Sequence, residues 1–450
     1  MIFFFKLLLS ISFITLYAQN TDPIVQRAKD HLLTKSQKNI QLPDASDRWQ
    51  YFISKTRDDI CNMHTIDHVI KTAQLGTGFE HRGNADPAHL LSFENFLIHE
   101  FPHFAKDIPL ISETPVSYPG SLYLLNGRYV SNMLYYHMRY VLQCLTYTKP
   151  KNICEIGGGY GGAARIWMKN PIHNPNIYVM IDFPEMLFLA EVFLKASLSD
   201  VDILHISDIE NIQFDKISNK TIILCPIESL SLLDNQPIDL VINTGSLQEM
   251  TEEYCSFWMN WLDNSQAKYF YSLNYFAMPI NYFGEGANIY SPNLSNQWIM
   301  LHKKADPLNI FYQTRHWADI FAKRSLDKIN TNDLRAQYDS LLKSPLNYQT
   351  FLDLMDIIRL TQDQEMIWNL ISYIMTKNPN MRDLSKEALI SCILNSAEIN
   401  YIPKETYYLI ELLKKIGDKA FLSDKHEMLE VYEKELRYLM ENNFLKNNLF

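Results

Sequence analysis

The spacing of apolar residues changes twice along the chain. Residues 21–145 carry apolar side chains mostly at helical spacing, as in "DRWQYFISKTRDDICNMHTIDHVIKTA", with loops between the helical runs. From residue 151, short apolar runs alternate with helical patterns, which is typical of a parallel sheet with helices on both faces. Residues 326–450 return to helical spacing, in runs such as "QTFLDLMDIIRL". The middle of the chain therefore predicts a sheet, and both flanks predict helices.

Five apolar runs in the middle region predict strands: "NICEI", "NIYVMID", "TIILC", "IDLVINT" and "AKYFYSLNYF". Together with the helical runs among them, they predict an α/β protein with a Rossmann-like, doubly wound, mostly parallel sheet. A helical N-terminal region and an all-helical C-terminal domain flank this sheet. The predicted divisions are an apolar segment over 1–20, a helical region or lid over 21–145, the sheet domain over 146–325 and a helical domain over 326–450. The segment "SETPVSYPGSLYLLNGRYVSN", with two prolines and two glycines, is predicted to be a loop.

The first twenty residues give information on the cellular location of the protein. Residues 2–18 form an apolar run with a single charge, Lys6, and the run from Leu7 to Ala18 is too short to span a bilayer. It fits a signal peptide or anchor about as well as a buried or interfacial helix. We expect a cytoplasmic protein with weak membrane association through residues 2–18, or an exported protein if this segment is a signal peptide.

The net charge of the chain limits the classes of molecule that it is expected to bind. Lysine and arginine number 41 against 51 acidic residues, so the net charge is −10, and there is no block of five or more basic residues. Binding to a nucleic-acid backbone requires clustered positive charge, so we expect no nucleic-acid partner. The helical C-terminal domain is a candidate surface for a protein partner.

The stretch "CEIGGGYGGAARIWM" carries the chemistry of the chain, because five glycines lie within six residues between a predicted strand and a predicted helix. Such a turn brings backbone close to a ligand, where side chains would collide. The pattern Gly157-x-Gly159-x-x-Gly162 fits the dinucleotide fingerprint. The pattern Glu155-x-Gly157-x-Gly159-x-Gly161 fits the first motif of S-adenosylmethionine methyltransferases.

Two acidic residues lie near this turn, and one of them, Glu155, distinguishes between the two cofactors. Asp182 ends the next strand, where a carboxylate can accept hydrogen bonds from both ribose hydroxyls of either cofactor. Glu155 lies inside an apolar strand, where a carboxylate is costly without a partner. S-adenosylmethionine supplies cationic groups, whereas a pyrophosphate would be repelled, so Glu155 favours S-adenosylmethionine. The alternative is a Glu155 satisfied by backbone donors.

Three motifs, "CEIGGGYGGAAR", "YVMIDFPEMLFLAEVFL" and "DLVINTGSLQEM", together resemble the sugar O-methyltransferase family of class I S-adenosylmethionine-dependent enzymes. The resemblance covers roughly residues 110–275 and includes the helical segment "LNGRYVSNMLYYHMRY". It implies methyl transfer to a hydroxyl of a sugar or of a glycan carrier, as in polysaccharide modification.

The candidate catalytic and acceptor residues lie near the strand ends of this region. Glu249 is the first candidate for the general base, and the alternative is that Gln248 and Glu249 cap the helix that begins near Thr251. His137 is a rival base, as is His316, although each is more often a packed residue in such a context. Further candidates are Asn243 and Thr244 for the methionine end of the cofactor, and Asn126, Arg128, Ser131 and Asn132 for the acceptor. We expect no bound metal.

Three functions remain open on the sequence. The first is an S-adenosylmethionine-dependent sugar O-methyltransferase. The second is an NAD-linked sugar oxidoreductase that uses the same turn. The third is a binding or scaffold protein with a degenerate methyltransferase core.

Overall fold

The computed structural model describes residues 21–33, 42–43, 45, 47–73, 87–116, 122–209, 212–277, 294–295, 297–305, 316–324, 331–346, 348–361 and 363–376. These residues fall into two compact units. The first unit extends to Ile242 without Pro43–Ser46, and the second consists of Pro43–Ser46 and the residues from Asn243 onward. The predicted apolar segment over 1–20 and the helices predicted beyond residue 376 lie outside the described residues. The predicted domain boundaries stay predictions.

The helices of the described residues follow the predicted helical runs closely. They are α1 (Pro23–Leu33), α2 (Asp47–Cys61), α3 (Ile66–Ala73), α4 (Pro87–Glu100), α5 (Asn132–Tyr147), α6 (Gly162–Lys169), α7 (Pro184–Ser197), α8 (Glu252–Asn264), α9 (Thr331–Leu342), α10 (Tyr348–Thr361) and α11 (Gln364–Thr376). Proline at the first position starts α7, where no helical hydrogen bond is lost. The Thr251 hydroxyl caps α8 by accepting from the Tyr254 amide at 3.3 Å.

The described strands form one small hairpin and one large, mostly parallel sheet. They are β1 (Tyr123–Leu125), β2 (Arg128–Val130), β3 (Asn152–Ile156), β4 (Ile177–Asp182), β5 (Asp202–His205), β6 (Thr221–Pro226), β7 (Leu240–Thr244), β8 (Tyr269–Ala277), β9 (Trp298–Ala305) and β10 (His316–Arg324). All five predicted strands are present. The α/β class, with helices alternating with parallel strands, is therefore confirmed.

In the first unit, the strands of the large sheet lie in the order β5-β6-β4-β3, with β7 next to β3. The pairs β3–β4, β4–β6 and β5–β6 are parallel. Side chains of β3, β4 and β6 are almost entirely buried, as expected for central parallel strands covered on both faces. The chain order reverses at β3, and ligands of open α/β sheets bind beyond the carboxyl ends of strands at such a point.

The N-terminal helices of the first unit pack on α7. A buried apolar cluster joins Val25 and Ala28 of α1 to Met186 and Leu189 of α7. Ion pairs add to this contact, including one between the His31 imidazole and the buried Glu191 carboxylate at 2.7 Å. Helix α7 is thus one of the places where the predicted helical region over 21–145 contacts the sheet domain.

The segment predicted as a loop before α5 contains the β1–β2 hairpin, so that prediction was wrong. Asn126 and Gly127 form its turn with φ values of 50° and 82°. A two-residue turn with both φ angles positive matches the twist of a hairpin, and Asn-Gly is the preferred pair. The two prolines and the glycine before the hairpin concealed this signal.

The second unit begins with the end of β7 and continues in the strand order β8-β10-β9. Both pairs, β8–β10 and β10–β9, are antiparallel. The sequence analysis did not predict β9 or β10, and it also missed the short strand β5. Helices α9, α10 and α11 follow, so the described part of residues 326–450 is helical as predicted. Within the described residues, no helix is both long and apolar enough to cross a membrane.

A buried ion pair connects α6 to the segment before the hairpin. The Arg165 guanidinium lies 2.6 Å from the Glu113 carboxylate, and both side chains are 6% exposed. Arg165 also donates to the Ser112 carbonyl oxygen at 3.0 Å. Breaking such a pair leaves a buried charge without its partner.

We therefore expect Arg165→Met to lower the free energy of unfolding by about 3–5 kcal/mol, because Glu113 stays buried without its cation. The double variant Arg165→Met/Glu113→Leu removes both charges and recovers most of this loss. Urea denaturation at pH 7 measures both. If the free energy of unfolding of Arg165→Met lies within about 1 kcal/mol of the wild-type value, the ion pair does not have this stabilising role.

Candidate functional site

The glycine turn joins β3 to α6 through three glycines with left-handed backbone. Gly157, Gly159 and Gly161 have φ values of 74°, 55° and 90°. Side chains other than glycine adopt this region rarely, so the run of glycines is required by the path of the chain. The Gly157 amide donates to the Ile181 carbonyl oxygen at 2.8 Å, which attaches the turn to the end of β4.

Asp182, the last residue of β4, is bound to this turn. Its carboxylate accepts from the Gly159 amide at 2.9 Å and from the Phe183 amide at 2.8 Å. Asp182 is only half-buried. The Asp182 side chain therefore links the end of β4 to the turn.

Glu155 lies directly beneath the turn and is 2% exposed. The Tyr178 hydroxyl donates to its carboxylate at 2.9 Å. Burial raises the pKa of Glu155 to about 8; the Tyr178 hydrogen bond opposes this shift and the negative charge of Asp182 adds to it. Glu155 is therefore mostly protonated at neutral pH, and a cation beside it would favour the ionised form. The partner of Glu155 is a side chain rather than the backbone donors considered above.

Two glycines of the turn are closely packed against neighbouring side chains. A Cβ at Gly158 would lie 2.7 Å from Met180 Cε and 3.0 Å from the Glu155 carboxylate. A Cβ at Gly162 would lie 2.3 Å from the Tyr160 hydroxyl and 2.4 Å from His137 Cε1. Glycine is thus needed here for close packing as well as for the backbone path.

His137, the rival base, lies in α5 against the start of α6. Its ring contacts the rings of Tyr136, Tyr140 and Tyr160. Burial, together with the positive charge of Arg165, lowers the pKa of His137 to about 3. Such a group is a weak proton acceptor at neutral pH, so its surroundings are those of a packed residue. The catalytic assignment of His137 stays a prediction.

The four acceptor-binding candidates lie in and after the hairpin. Arg128 forms an ion pair with the buried Glu94 and donates to the Ile111 carbonyl oxygen at 2.5 Å. Ser131 caps α5 by accepting from the Leu134 amide at 3.0 Å. Asn126 forms the hairpin turn, and Asn132 is the first residue of α5. These contacts hold the fold together locally, and the acceptor-binding roles stay predictions.

Asn243, Thr244 and Glu249 belong to the second unit and share the turn after β7. The Asn243 amide oxygen accepts from the Leu247 amide at 3.2 Å and from Asn274 Nδ2 at 2.9 Å. Asn243 Nδ2 donates to the Ser246 hydroxyl at 2.5 Å. These bonds fix the turn that leads to Glu249.

Glu249 ends a short 3-10 helix, Leu247–Glu249, and is half-buried. Since Thr251 is the capping residue of α8, the alternative in which Gln248 or Glu249 caps that helix was wrong. The assignments of Asn243, Thr244 and Glu249 to the cofactor and the base stay predictions. His316 is the first residue of β10, and its side chain lies outside the described residues.

Two residues of these networks were missed by the sequence analysis. Tyr178 and Asn274 each place a polar group inside an apolar strand, in "IYVMID" and "YFYSLNYFA". Buried polar groups require partners, so a polar residue within such a run was the available signal. Among the described residues, no group of three or more His, Cys, Asp or Glu side chains is arranged to hold a metal ion.

No family model and no curated protein matches the chain. Solved structures give remote similarities. An rRNA methylase from Escherichia coli is 11% identical, with 67% of this chain and 100% of that chain covered and a TM-score of 0.28. M. capricolum TrmK, in complex with S-adenosyl-homocysteine, is 10% identical over 48% of this chain and 92% of its own, with a TM-score of 0.25. A protein of the NADB-Rossmann superfamily from Streptococcus agalactiae is 9% identical over 58% and 96%, with a TM-score of 0.29. Similarity at this level carries no conclusion about activity.

The buried Glu155 predicts a specific dependence of stability on pH. Its pKa is about 8 in the folded protein against an ordinary value of 4.5, so the folded state holds a proton that the unfolded chain releases between these values. The contribution of Glu155 to the free energy of unfolding is therefore full below pH 4.5 and falls as pH rises through about 8. We expect Glu155→Gln, which cannot ionise, to gain stability relative to the wild type from pH 5 to pH 9. Urea denaturation across this range measures the difference, and a constant difference contradicts the raised pKa.

Proposed function

We propose that this protein is an S-adenosylmethionine-dependent methyltransferase that methylates a hydroxyl of a sugar or glycan carrier. The observation that carries the proposal is the glycine turn with a buried, mostly protonated Glu155 beneath it. The half-buried Asp182 carboxylate binds the same turn through the Gly159 amide at 2.9 Å. The two carboxylates supply hydrogen-bond acceptors, and Glu155 can become negatively charged. The glycines keep side chains out of the turn.

The residues present fit a cationic cofactor. Glu155 would ionise beside an ammonium or sulfonium group, which compensates the cost of a buried carboxylate. Asp182 would accept the ribose hydroxyls, and Gly159 would let the backbone approach the cofactor. Bound S-adenosylmethionine supplies an activated methyl group.

The dinucleotide alternative fits these residues less well. A pyrophosphate at the same turn would oppose ionisation of Glu155. Backbone amides of a glycine turn normally face the phosphates in dinucleotide sites, whereas here the Gly159 amide already donates to Asp182. An NAD-linked oxidoreductase is therefore the second candidate, and a scaffold without cofactor is the third.

The chain's own part in the reaction is alignment and proton removal. Holding the acceptor hydroxyl in line with the methyl group converts a bimolecular encounter into an effectively intramolecular one. Glu249 would accept the hydroxyl proton, and the Asn243–Ser246–Asn274 hydrogen bonds fix the turn that carries it. A positioned base contributes about 10²–10⁴-fold to such a step.

The sugar acceptor is supported by the sequence motifs. The three motifs in order resemble those of sugar O-methyltransferases, and the net charge of −10 disfavours a nucleic-acid acceptor. A tritium-labelled methyl group from S-adenosylmethionine, offered with free sugars, nucleotide sugars and RNA in parallel, tests this. Label in RNA alone would contradict the sugar assignment and leave methyl transfer intact.

Calorimetric titration tests the cofactor assignment. We expect S-adenosylhomocysteine to bind and NAD to give no heat of binding. Gly159→Ala is expected to raise the Kd for S-adenosylhomocysteine at least about tenfold, since the added methyl group occupies the backbone approach. The matched control is Gly127→Ala, because Gly127 also has a positive φ, 82°, but nothing lies within 4 Å of its Cβ position. Equal losses in both variants would point to backbone strain alone, and NAD binding would support the oxidoreductase.

Replacing Glu249 tests the base. Glu249→Gln keeps the shape of the side chain but cannot accept a proton, so kcat is expected to fall by about 10²-fold or more. The Kd for S-adenosylhomocysteine should stay within about twofold of the wild type, because the base does not hold the cofactor. Glu253→Gln, an exposed position in the first turn of α8, is the control and should leave kcat unchanged. Wild-type kcat in Glu249→Gln across pH 6–9 would eliminate Glu249 as the base.

A further inference from the structure

An aromatic surface lies beside the carboxyl end of β4. Trp49 of α2 and Phe183 face each other with ring centroids 5.8 Å apart. Phe52, one turn further along α2, meets the Trp49 ring edge-on at 5.4 Å. The rings of these three residues take no part in the glycine turn or its hydrogen bonds, and only the backbone amide of Phe183 does.

This surface adjoins the carboxylate proposed to hold the ribose. Phe183 directly follows Asp182, and the Phe183 amide donates to the Asp182 carboxylate at 2.8 Å. Any nucleoside whose ribose is bound at Asp182 carries its base on the adjacent ring carbon. The nucleobase must therefore lie within a few ångströms of Asp182. Aromatic rings are present next to Asp182, on the side where Phe183 lies.

The helix that supplies Trp49 is attached to α7 at its other end. Thr56 and Ile60 of α2 are buried, and Arg57 forms an ion pair with the buried Glu185 of α7. Trp49 and Phe183, in contrast, are only half-buried, although both pack at the margin of the apolar cluster on α7. Flat rings held in place and still partly open to solvent are the kind of surface on which a nucleobase stacks.

We propose that Trp49 forms one wall of the cofactor pocket and stacks on the adenine ring, so that α2 is a part of the cofactor site. This inference rests on the proposed function, since it takes the adenosine group of S-adenosylmethionine as the occupant. It gives the predicted N-terminal lid region a direct contact with the cofactor. It also places Trp49 in the same site as Asp182, although the two residues are far apart in the sequence.

The test compares three variants by calorimetry with S-adenosylhomocysteine and by thermal unfolding without ligand. Trp49→Leu keeps an apolar side chain but loses the flat ring, and we expect its Kd to rise about tenfold or more. Trp49→Phe keeps a ring and should restore affinity to within a few-fold of the wild type. Tyr51→Leu is the matched control, because Tyr51 lies on the same helix with 68% of its surface exposed, and its Kd should not change.

The outcomes separate the stacking role from packing and from failure of the cofactor assignment. Weakening in Trp49→Leu with rescue in Trp49→Phe supports the proposal. Unchanged affinity in Trp49→Leu overturns it, as does equal weakening in both Trp49 variants that follows their loss of melting temperature. Wild-type protein that binds no S-adenosylhomocysteine overturns the proposed function itself, whereas wild-type binding that all three variants retain overturns only the role of Trp49.

Discussion

The candidate site depends on a carboxylate that is buried beneath a turn of glycines. Glu155 has one identified side-chain partner, the Tyr178 hydroxyl, and burial raises its pKa to about 8. The turn above it leaves no room for a side chain at Gly158, where a Cβ would lie 3.0 Å from the same carboxylate. A buried acid kept mostly neutral in the free protein is a group that a cationic ligand can convert to its charged form.

The rest of the first unit holds this arrangement in place. Strand β4 supplies both Tyr178 and Asp182, so the hydrogen bond beneath the turn and the carboxylate beside it come from one strand. Helix α6 starts at the end of the turn, and the buried ion pair between Arg165 and Glu113 holds this helix in place. The N-terminal helices pack on α7, which begins two residues after Asp182, and so they bring Trp49 to the same edge of the sheet.

The sequence predicted the sheet because each central strand is a continuous apolar run between turn residues, as in β3, β4 and β6. It did not predict β9 and β10, which pair antiparallel at the other end of the sheet order and mix charged with apolar residues. The β1–β2 hairpin was missed although Asn126-Gly127 is a strong turn signal, because the nearby prolines favoured a loop. Local patterns reveal continuous apolar strands that are buried on both faces better than strands that mix charged with apolar residues.

The site could be predicted in part for a similar reason. Glycine spacing and an acid at the strand end are local features, and both were found. The link between Asp182 and the Gly159 amide, the Tyr178 partner of Glu155 and the position of Trp49 arise from contacts between distant parts of the chain. The structural role of Arg128 was not predicted for the same reason, because its partner Glu94 is far away in sequence.

Proton exchange on cofactor binding tests the central claim most directly. Titration of the wild type with S-adenosylhomocysteine at pH 7, in buffers with different ionisation enthalpies, reports the number of protons taken up or released. Because Glu155 is mostly protonated in the free protein and ionises beside the bound ammonium, the account predicts release of close to one proton. It predicts that this release is absent in Glu155→Gln. Binding with the same proton balance in both proteins, or no binding to the wild type, would contradict it.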